Sequence, residues 1–124
     1  MAKKRVLDVG NCAPDHAAIR RLVEGNFDAE VVQAHGAEDA LASLRSGQFE
    51  LVIVNRKLDR DYSDGLDIIK QIKGDPELSS VPVMLLTNYP EHQQMATAVG
   101  AEPGFGKLEF GRTETKEKLN RFLG

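Results

Sequence analysis

The chain has 124 residues, of which 41% are hydrophobic and 28% are charged, and its formal net charge is −3. This size and composition are typical of one globular domain that forms a core without disulfides or structural metals. The acidic balance argues against nucleic-acid binding, and Cys12, the single cysteine, excludes an internal disulfide. No segment is apolar enough for a signal peptide or a membrane span. We therefore predict one cytoplasmic domain over residues 1–124, without membrane contact.

Short apolar runs alternate along the chain with segments whose apolar residues recur at helical spacing. Pro14 suits the first turn of a helix, and Gly25 ends that helix. In chain order, the predicted elements are a strand at 6–9, a helix between Pro14 and Gly25, a strand at 30–34, a helix at 37–45, a strand at 51–54, a helix at 66–74, a strand at 83–86, a helix at 90–99, a strand at 104–106 and a helix at 113–123.

Each predicted helix has one apolar face. Helix four is expected to turn Met95, Ala98 and Val99 inward, and Asp64 is available to cap the start of helix three. The inward residues predicted for the other four helices are Ile19, Leu22, Val23, Ala40, Leu41, Leu44, Leu66, Ile69, Ile72, Leu119, Phe122 and Leu123.

Strand and helix alternate five times, which indicates a parallel sheet covered by helices on both faces. Right-handed crossovers leave few topologies, and the flavodoxin-like order 2-1-3-4-5 is the one expected at this length. In such α/β sheets, functional sites lie beyond the carboxyl ends of the strands. Functional residues are therefore expected at the carboxyl ends of the strands.

Polar and small residues follow the predicted strands at this edge. Strand one ends in Gly10 and Asn11, strand three in Asn55, strand four in Thr87, and Lys107 comes just after strand five. Asp64–Gly65 opens helix three, and Gly100–Ala101 precedes strand five by a short turn.

In this order, these features resemble the receiver domain of bacterial response regulators, and the resemblance covers essentially the whole chain. It depends on Asn55 at the end of strand three, on Thr87, on Asp64–Gly65, and on Gly100–Ala101 followed by Lys107. The resemblance implies a phosphoacceptor aspartate after strand three, which holds magnesium together with two acidic residues after strand one. It also implies a hydroxyl and a lysine that contact the phosphoryl oxygens.

The catalytic carboxylates implied by this resemblance are absent here. Gly10 and Asn11 occupy the positions of the acidic pair, and Asn55 occupies that of the phosphoacceptor. A neutral amide is a poor nucleophile and cannot form an acyl phosphate. Thr87 and Lys107 match the phosphate-sensing positions. No metal, cofactor or enzymatic activity is expected.

The segments that signal phosphorylation also differ from the family pattern. Gly104 stands where the family usually has a rotating aromatic residue, with Phe105 beside it, and Leu108 replaces the usual proline. The loop from Asn55 to Gly65 is two residues longer than usual, and the segment that contains helix four is two residues shorter. The output surface is therefore expected to have an altered shape.

We expect an atypical receiver of two-component signalling that acts by protein contact, independently of phosphorylation. By resemblance, the contact face combines helix four, strand five and helix five, and a homodimer through this face is a further expectation. One alternative is a sensor that binds a small anion at Thr87 and Lys107. Another is a receiver phosphorylated at a displaced acid such as Asp59, Asp61 or Asp64.

Two further charged residues carry expectations of their own. Asp8 lies on a buried strand, so it needs a partner or a raised pKa, and a lysine, a hydroxyl or water is the expected partner. The alternative is that Asp8 replaces a missing acid of the pocket. Without acids around it, Lys107 is expected to face solvent. His16, His35 and His92 lie in different elements and lack the spacing of a zinc site.

Overall fold

The computed structural model describes residues 3–124, in which five strands alternate with five α-helices. A short 3-10 helix follows the last strand, at Lys107–Glu109. The strands and α-helices are β1 (Lys4–Val9), α1 (Ala13–Glu24), β2 (Ala29–Ala34), α2 (Ala37–Ser46), β3 (Leu51–Asn55), α3 (Gly65–Gly74), β4 (Val83–Leu86), α4 (Pro90–Ala98), β5 (Glu102–Phe105) and α5 (Thr113–Leu123).

The strands form one parallel sheet in the order β2-β1-β3-β4-β5. The predicted flavodoxin-like order is therefore confirmed. Strand β1 is paired on both sides, with Val6 opposite Val31 of β2 and Leu51 of β3. None of the helices within residues 3–124 is long and apolar enough to cross a membrane.

Two buried clusters cover the two faces of the sheet. Leu7 and Val9 of β1 pack with residues of α2, α3 and α4, whereas Val6 packs with residues of α1 and α5. Because side chains alternate along a strand, Asp8 shares the face of Val6. The carboxylate of Asp8 therefore lies on the side of the sheet covered by α1.

Most of the predicted inward residues are buried, and Asp64 caps α3 by accepting a hydrogen bond from the Leu66 N–H at 2.9 Å. The prediction for helix four was wrong at two positions. Met95 is 50% exposed and Ala98 is also exposed, while Ala96 is fully buried. Compared with the prediction, α4 turns a different face inward. The reason is that Gln93, three residues before Ala96, points towards the sheet and bonds to β4 and β5.

The predicted ends of four strands were also wrong, since β3 extends one residue further, to Asn55. β1 begins at Lys4, which pairs with Ala29 at the start of β2, so both strands are longer than their apolar runs suggested. β5 begins at Glu102, opposite Met84, and ends at Phe105 instead of covering 104–106. It stops there because the backbone N–H of the next residue bonds to the Glu109 carboxylate at 2.8 Å.

Candidate functional site

The predicted site residues converge at the carboxyl edge of the sheet. Gly10 follows β1, Asn55 ends β3, Thr87 follows β4, and Lys107 opens the 3-10 helix after β5. Asn11 is fully buried, and Asn55 and Thr87 are each 8% exposed. Since β1, β3, β4 and β5 are neighbours in the sheet, their ends form one continuous edge.

The side-chain amide of Asn55 joins two loops. Its Nδ2 donates to the backbone carbonyl of Lys57 at 2.8 Å and to that of Gly10 at 3.3 Å. Carbonyl oxygens only accept hydrogen bonds, so these partners fix the orientation of the amide. An ionised carboxylate has no proton to donate and would face both carbonyl oxygens. Residue 55 therefore acts as a donor that ties the end of β1 to the loop after β3.

Leu58 fills the space beside Gly10. The φ angle of Gly10 is +79°, in the left-handed region, and a Cβ built there would collide with the side chain of Leu58. Leu58 is only 2% exposed, and the carbonyl of Gly10 also accepts the Asp59 N–H at 3.0 Å. The position expected to carry a metal-binding acid is thus closed by an aliphatic side chain. Sequence reasoning missed Leu58, although a lone aliphatic residue in a polar loop was the available signal.

Two of the acidic residues in the loop after β3, Asp61 and Asp64, bond to groups in that loop and at the start of α3. Asp61 accepts hydrogen bonds from the Ser63 backbone at 3.0 Å and from its hydroxyl at 2.7 Å. Asp64 caps α3, and its other contact is an ion pair with Arg56 at 3.7 Å. Asp59 has one buried carboxylate oxygen without a hydrogen-bond partner.

Asp8 has a partner, but not one of the predicted kinds. Its carboxylate lies 2.6 Å from Nδ1 of His16 in α1 and accepts the Asn11 amide N–H at 2.5 Å. Burial raises the pKa of Asp8, and the hydrogen bonds from His16 and Asn11 offset only part of that effect. The expectation of a raised pKa is confirmed, and the partners are a histidine and an amide instead of a lysine, a hydroxyl or water.

Lys107 does not simply face solvent, so that prediction was wrong. Its Nζ bonds to the Asp15 carboxylate at 2.7 Å, and the Cys12 thiol donates to the same oxygen at 3.2 Å. Burial tends to raise the pKa of Asp15, but the hydrogen bonds and the positive charge of Lys107 outweigh burial and lower it. The lysine is therefore neutralised by α1. Asp15 went unnoticed in the sequence because it lies in a helix, away from the strand ends.

The side chain of Thr87 is bonded to residues at the start of α4. Its Oγ1 accepts the Tyr89 N–H at 3.3 Å and lies 3.3 Å from Nδ1 of His92. Its own backbone N–H bonds to the carbonyl of Phe105 at 3.1 Å, which aligns the ends of β4 and β5. Within residues 3–124, no group of three or more histidine, cysteine or acidic side chains is placed to hold a metal ion.

The sequence model of the response regulator receiver domain family matches residues 12–104. This chain belongs to that family. Receiver domains are the signalling modules of two-component systems. The matched span includes Asn55 and Thr87, whereas Gly10, Asn11 and Lys107 lie outside it.

Receiver proteins with curated names or solved structures are similar over most of the chain. The chemotaxis protein CheY-3 of Vibrio cholerae is 29% identical over 114 residues, which cover 88% of this chain and 86% of CheY-3. The signal receiver domain of a DNA-binding response regulator of Colwellia psychrerythraea superposes with a TM-score of 0.81 at 21% identity, over 95% and 96% of the two chains. TrrA of Thermotoga maritima, in complex with Mg(2+)-BeF, gives 0.78 at 23% identity, over 97% and 99%.

In this receiver, a glutamine occupies the space beside Gly104. The Gln93 amide donates to the Leu85 carbonyl at 2.8 Å and accepts the Gly104 N–H at 3.0 Å. A Cβ on Gly104 would collide with the Leu85 carbonyl and lie 3.1 Å from the Gln93 oxygen. On the other side, Lys118 of α5 donates to the Gly104 carbonyl at 2.8 Å. Gly104 is thus held by α4 and α5 at once.

Phe105 does not shape the outer face of this receiver, contrary to expectation. It is 1% exposed and belongs to the cluster beneath α1 and α5, where its ring meets that of Phe110 edge to face. The residue that stands out on the outer face is Leu108, which is 81% exposed. The sequence contained this signal, since Leu108 replaces the usual proline of the family.

Proposed function

We propose that this chain is a receiver that signals through protein contacts and does so without being phosphorylated. The observation that carries the proposal is the pair of hydrogen bonds from the Asn55 amide to the Gly10 and Lys57 carbonyls. An aspartate that accepts a phosphoryl group cannot make these bonds while ionised. The amide therefore has a structural role of its own at the phosphoacceptor-equivalent position.

The surrounding residues also do not fit magnesium. Mg²⁺ prefers several oxygen ligands in near-octahedral geometry, with charged carboxylates among them. Here Asn55 presents N–H groups, Asn11 directs its N–H to Asp8, and Leu58 closes the space beside Gly10. Gly10 and Asn11 are accordingly proposed as a lost acidic pair. The residues give no route by which a metal would organise phosphoryl transfer.

The contact surface that we propose is the face made by α4, β5 and α5. A groove of about 470 Å³ lies there, lined in part by Gln93, Leu108, Arg112 and Lys118. Tyr89, at the start of α4, is 59% exposed, and Leu108 is exposed more fully still. Exposed apolar side chains rimmed by polar and basic groups are typical of protein-binding surfaces. The same face is proposed to pair two copies of the chain.

The function is tested by titration with magnesium and beryllofluoride, followed by backbone amide NMR shifts. We expect no saturable shifts at Asn55, Thr87 or Lys107, because these groups are already bonded within the protein. TrrA, whose solved structure contains Mg(2+)-BeF, is the positive control in the same buffer. Saturable shifts at the three residues would refute independence from phosphorylation.

A further inference from the structure

A buried acid and a histidine form a pair that the proposed function does not use. The Asp8 side chain is fully buried, the His16 side chain is 15% exposed, and the carboxylate lies 2.6 Å from Nδ1. Histidine is the side chain whose charge changes most readily between about pH 5 and 8. With both ring nitrogens protonated, the buried pair is neutral as a whole. When one proton leaves, a buried carboxylate remains without a compensating charge.

The surroundings of Asp8 make that loss costly. Its neighbours across the sheet are Gln33 of β2 and Ile53 of β3, which carry no charge. Asn11 donates to Asp8, but the amide oxygen of Asn11 has no partner. Two charged groups on α1 act on Asp8: His16 bonds to it, and the anionic Asp15 repels it. Asp15 is itself paired with Lys107, which follows β5. A buried charge that loses its partner is strongly unfavourable, and Asp15 adds repulsion.

One turn of helix connects this pair to the output face. Asp15 and His16 are consecutive residues in the first turn of α1, and each bonds to a different part of the protein. Asp15 holds Lys107 at 2.7 Å, and Lys107 directly precedes the exposed Leu108 at the rim of the groove. A movement of this turn therefore reaches both contacts at once.

We infer that this receiver responds to pH, because loss of a proton from the Asp8–His16 pair loosens the first turn of α1 and releases Lys107, the residue next to Leu108 at the rim of the groove. A proton is then a signal that reaches the output face. This inference goes beyond the proposed function, because it requires neither a partner nor any particular behaviour towards magnesium.

The test follows NMR shifts of the whole chain between about pH 5 and 8. In the wild type, the Leu108 amide is expected to shift with the same midpoint as the Asp8 carboxyl carbon. In His16→Gln, the shift of Leu108 with that midpoint is expected to vanish. A pH-independent Leu108 amide in the wild type would overturn the inference.

Two further variants test whether the Asp15–Lys107 ion pair carries the pH response from the Asp8–His16 pair to Leu108. Asp15→Asn leaves the hydrogen bond between Asp8 and His16 in place, so the Asp8 carboxyl carbon still shifts with pH while the Leu108 amide no longer follows it. This variant changes a part-buried ion pair at the protein surface, so it decides the question even if His16→Gln fails to fold.

His92→Gln is the stricter control, because His92 lies beside Thr87 on the output side. It is expected to retain the pH response of Leu108. A response that persists in Asp15→Asn would refute the connection through the Asp15–Lys107 ion pair. A response that disappears in His92→Gln would show that the Asp8–His16 pair does not drive it.

Discussion

Replacing a carboxylate with an amide changes more than charge at Asn55. The two hydrogen bonds from Nδ2 reach carbonyls in different loops, so Asn55 connects the loop after β1 to the loop after β3. From the sequence, we expected only that residue 55 would lack a nucleophile. The sequence alone indicated a missing nucleophile. It could not indicate the new bonds, since they depend on where the Gly10 and Lys57 carbonyls point.

The first prediction concerns Asn55→Asp. We expect a loss of about 1–3 kcal/mol in the free energy of unfolding, because two carbonyls lose a donor and face a carboxylate. Chemical denaturation measures this loss. The same variant is expected to remain unlabelled by a small-molecule phosphodonor with magnesium.

The matched control is Asn88→Asp. Asn88 uses only its amide oxygen, which accepts the Leu108 N–H at 3.2 Å, so an aspartate retains that bond. Its stability should stay close to that of the wild type. Equal effects at 55 and 88, or efficient magnesium-dependent labelling of Asn55→Asp, would contradict the structural role of the amide.

The second prediction concerns the pH dependence of stability at Asp8. Its pKa is raised above 3.8 in the folded chain, so the folded state holds the proton more tightly than the unfolded state. The contribution of Asp8 to stability therefore declines as pH rises from 3.8 through the raised pKa. We expect Asp8→Asn to be more stable than the wild type at neutral pH, and this advantage to shrink on acidification.

Asp15→Asn provides the comparison of opposite sign. The pKa of Asp15 is lowered, so its contribution is present above the unfolded value and is lost as pH falls through the folded one. Its deficit relative to the wild type should therefore shrink in acid. Urea unfolding of the three proteins across this pH range measures both trends, and parallel curves for wild type and Asp8→Asn would refute the first.

At the scale of elements, the fold was predictable and the orientation of α4 was not. Strand and helix order follow from periodicity, which each segment carries locally. The face that α4 turns inward depends on Gln93, a polar residue that fills the space left by Gly104 and bonds to both neighbouring strands. A pattern based on apolar residues cannot assign a glutamine to the interior. The contact between Asp15 and Lys107 was also missed, because these residues are far apart in sequence and no local pattern connects them.

The third prediction concerns this glutamine. Gln93→Ala should destabilise the chain by about 1–3 kcal/mol and speed hydrogen exchange at the Gly104 amide, because that N–H and the Leu85 carbonyl lose their partner. Gln94→Ala is the control, since Gln94 is exposed on the same helix. Unchanged exchange at Gly104 in Gln93→Ala would show that the glutamine does not hold α4 to the sheet.

At the scale of the whole molecule, the groove between α4 and α5 is the surface through which we propose that two copies of the chain pair. The fourth prediction is that the chain forms a concentration-dependent dimer, which Leu108→Asp weakens by placing a charge at the rim. Sedimentation velocity measures the change. Tyr62→Asp, on an exposed loop residue after β3, should dimerise like the wild type. A wild type that is monomeric at every concentration would refute pairing through this face.

The position of Leu58 also has a consequence for how such a chain can change over generations. An acid restored at residue 10 meets the Leu58 side chain and a left-handed backbone, and an acid restored at residue 55 breaks two hydrogen bonds. Each of these single substitutions is expected to lower stability before it supplies any chemistry. Under the proposed function, such a chain therefore cannot gain phosphorylation one substitution at a time without first losing stability.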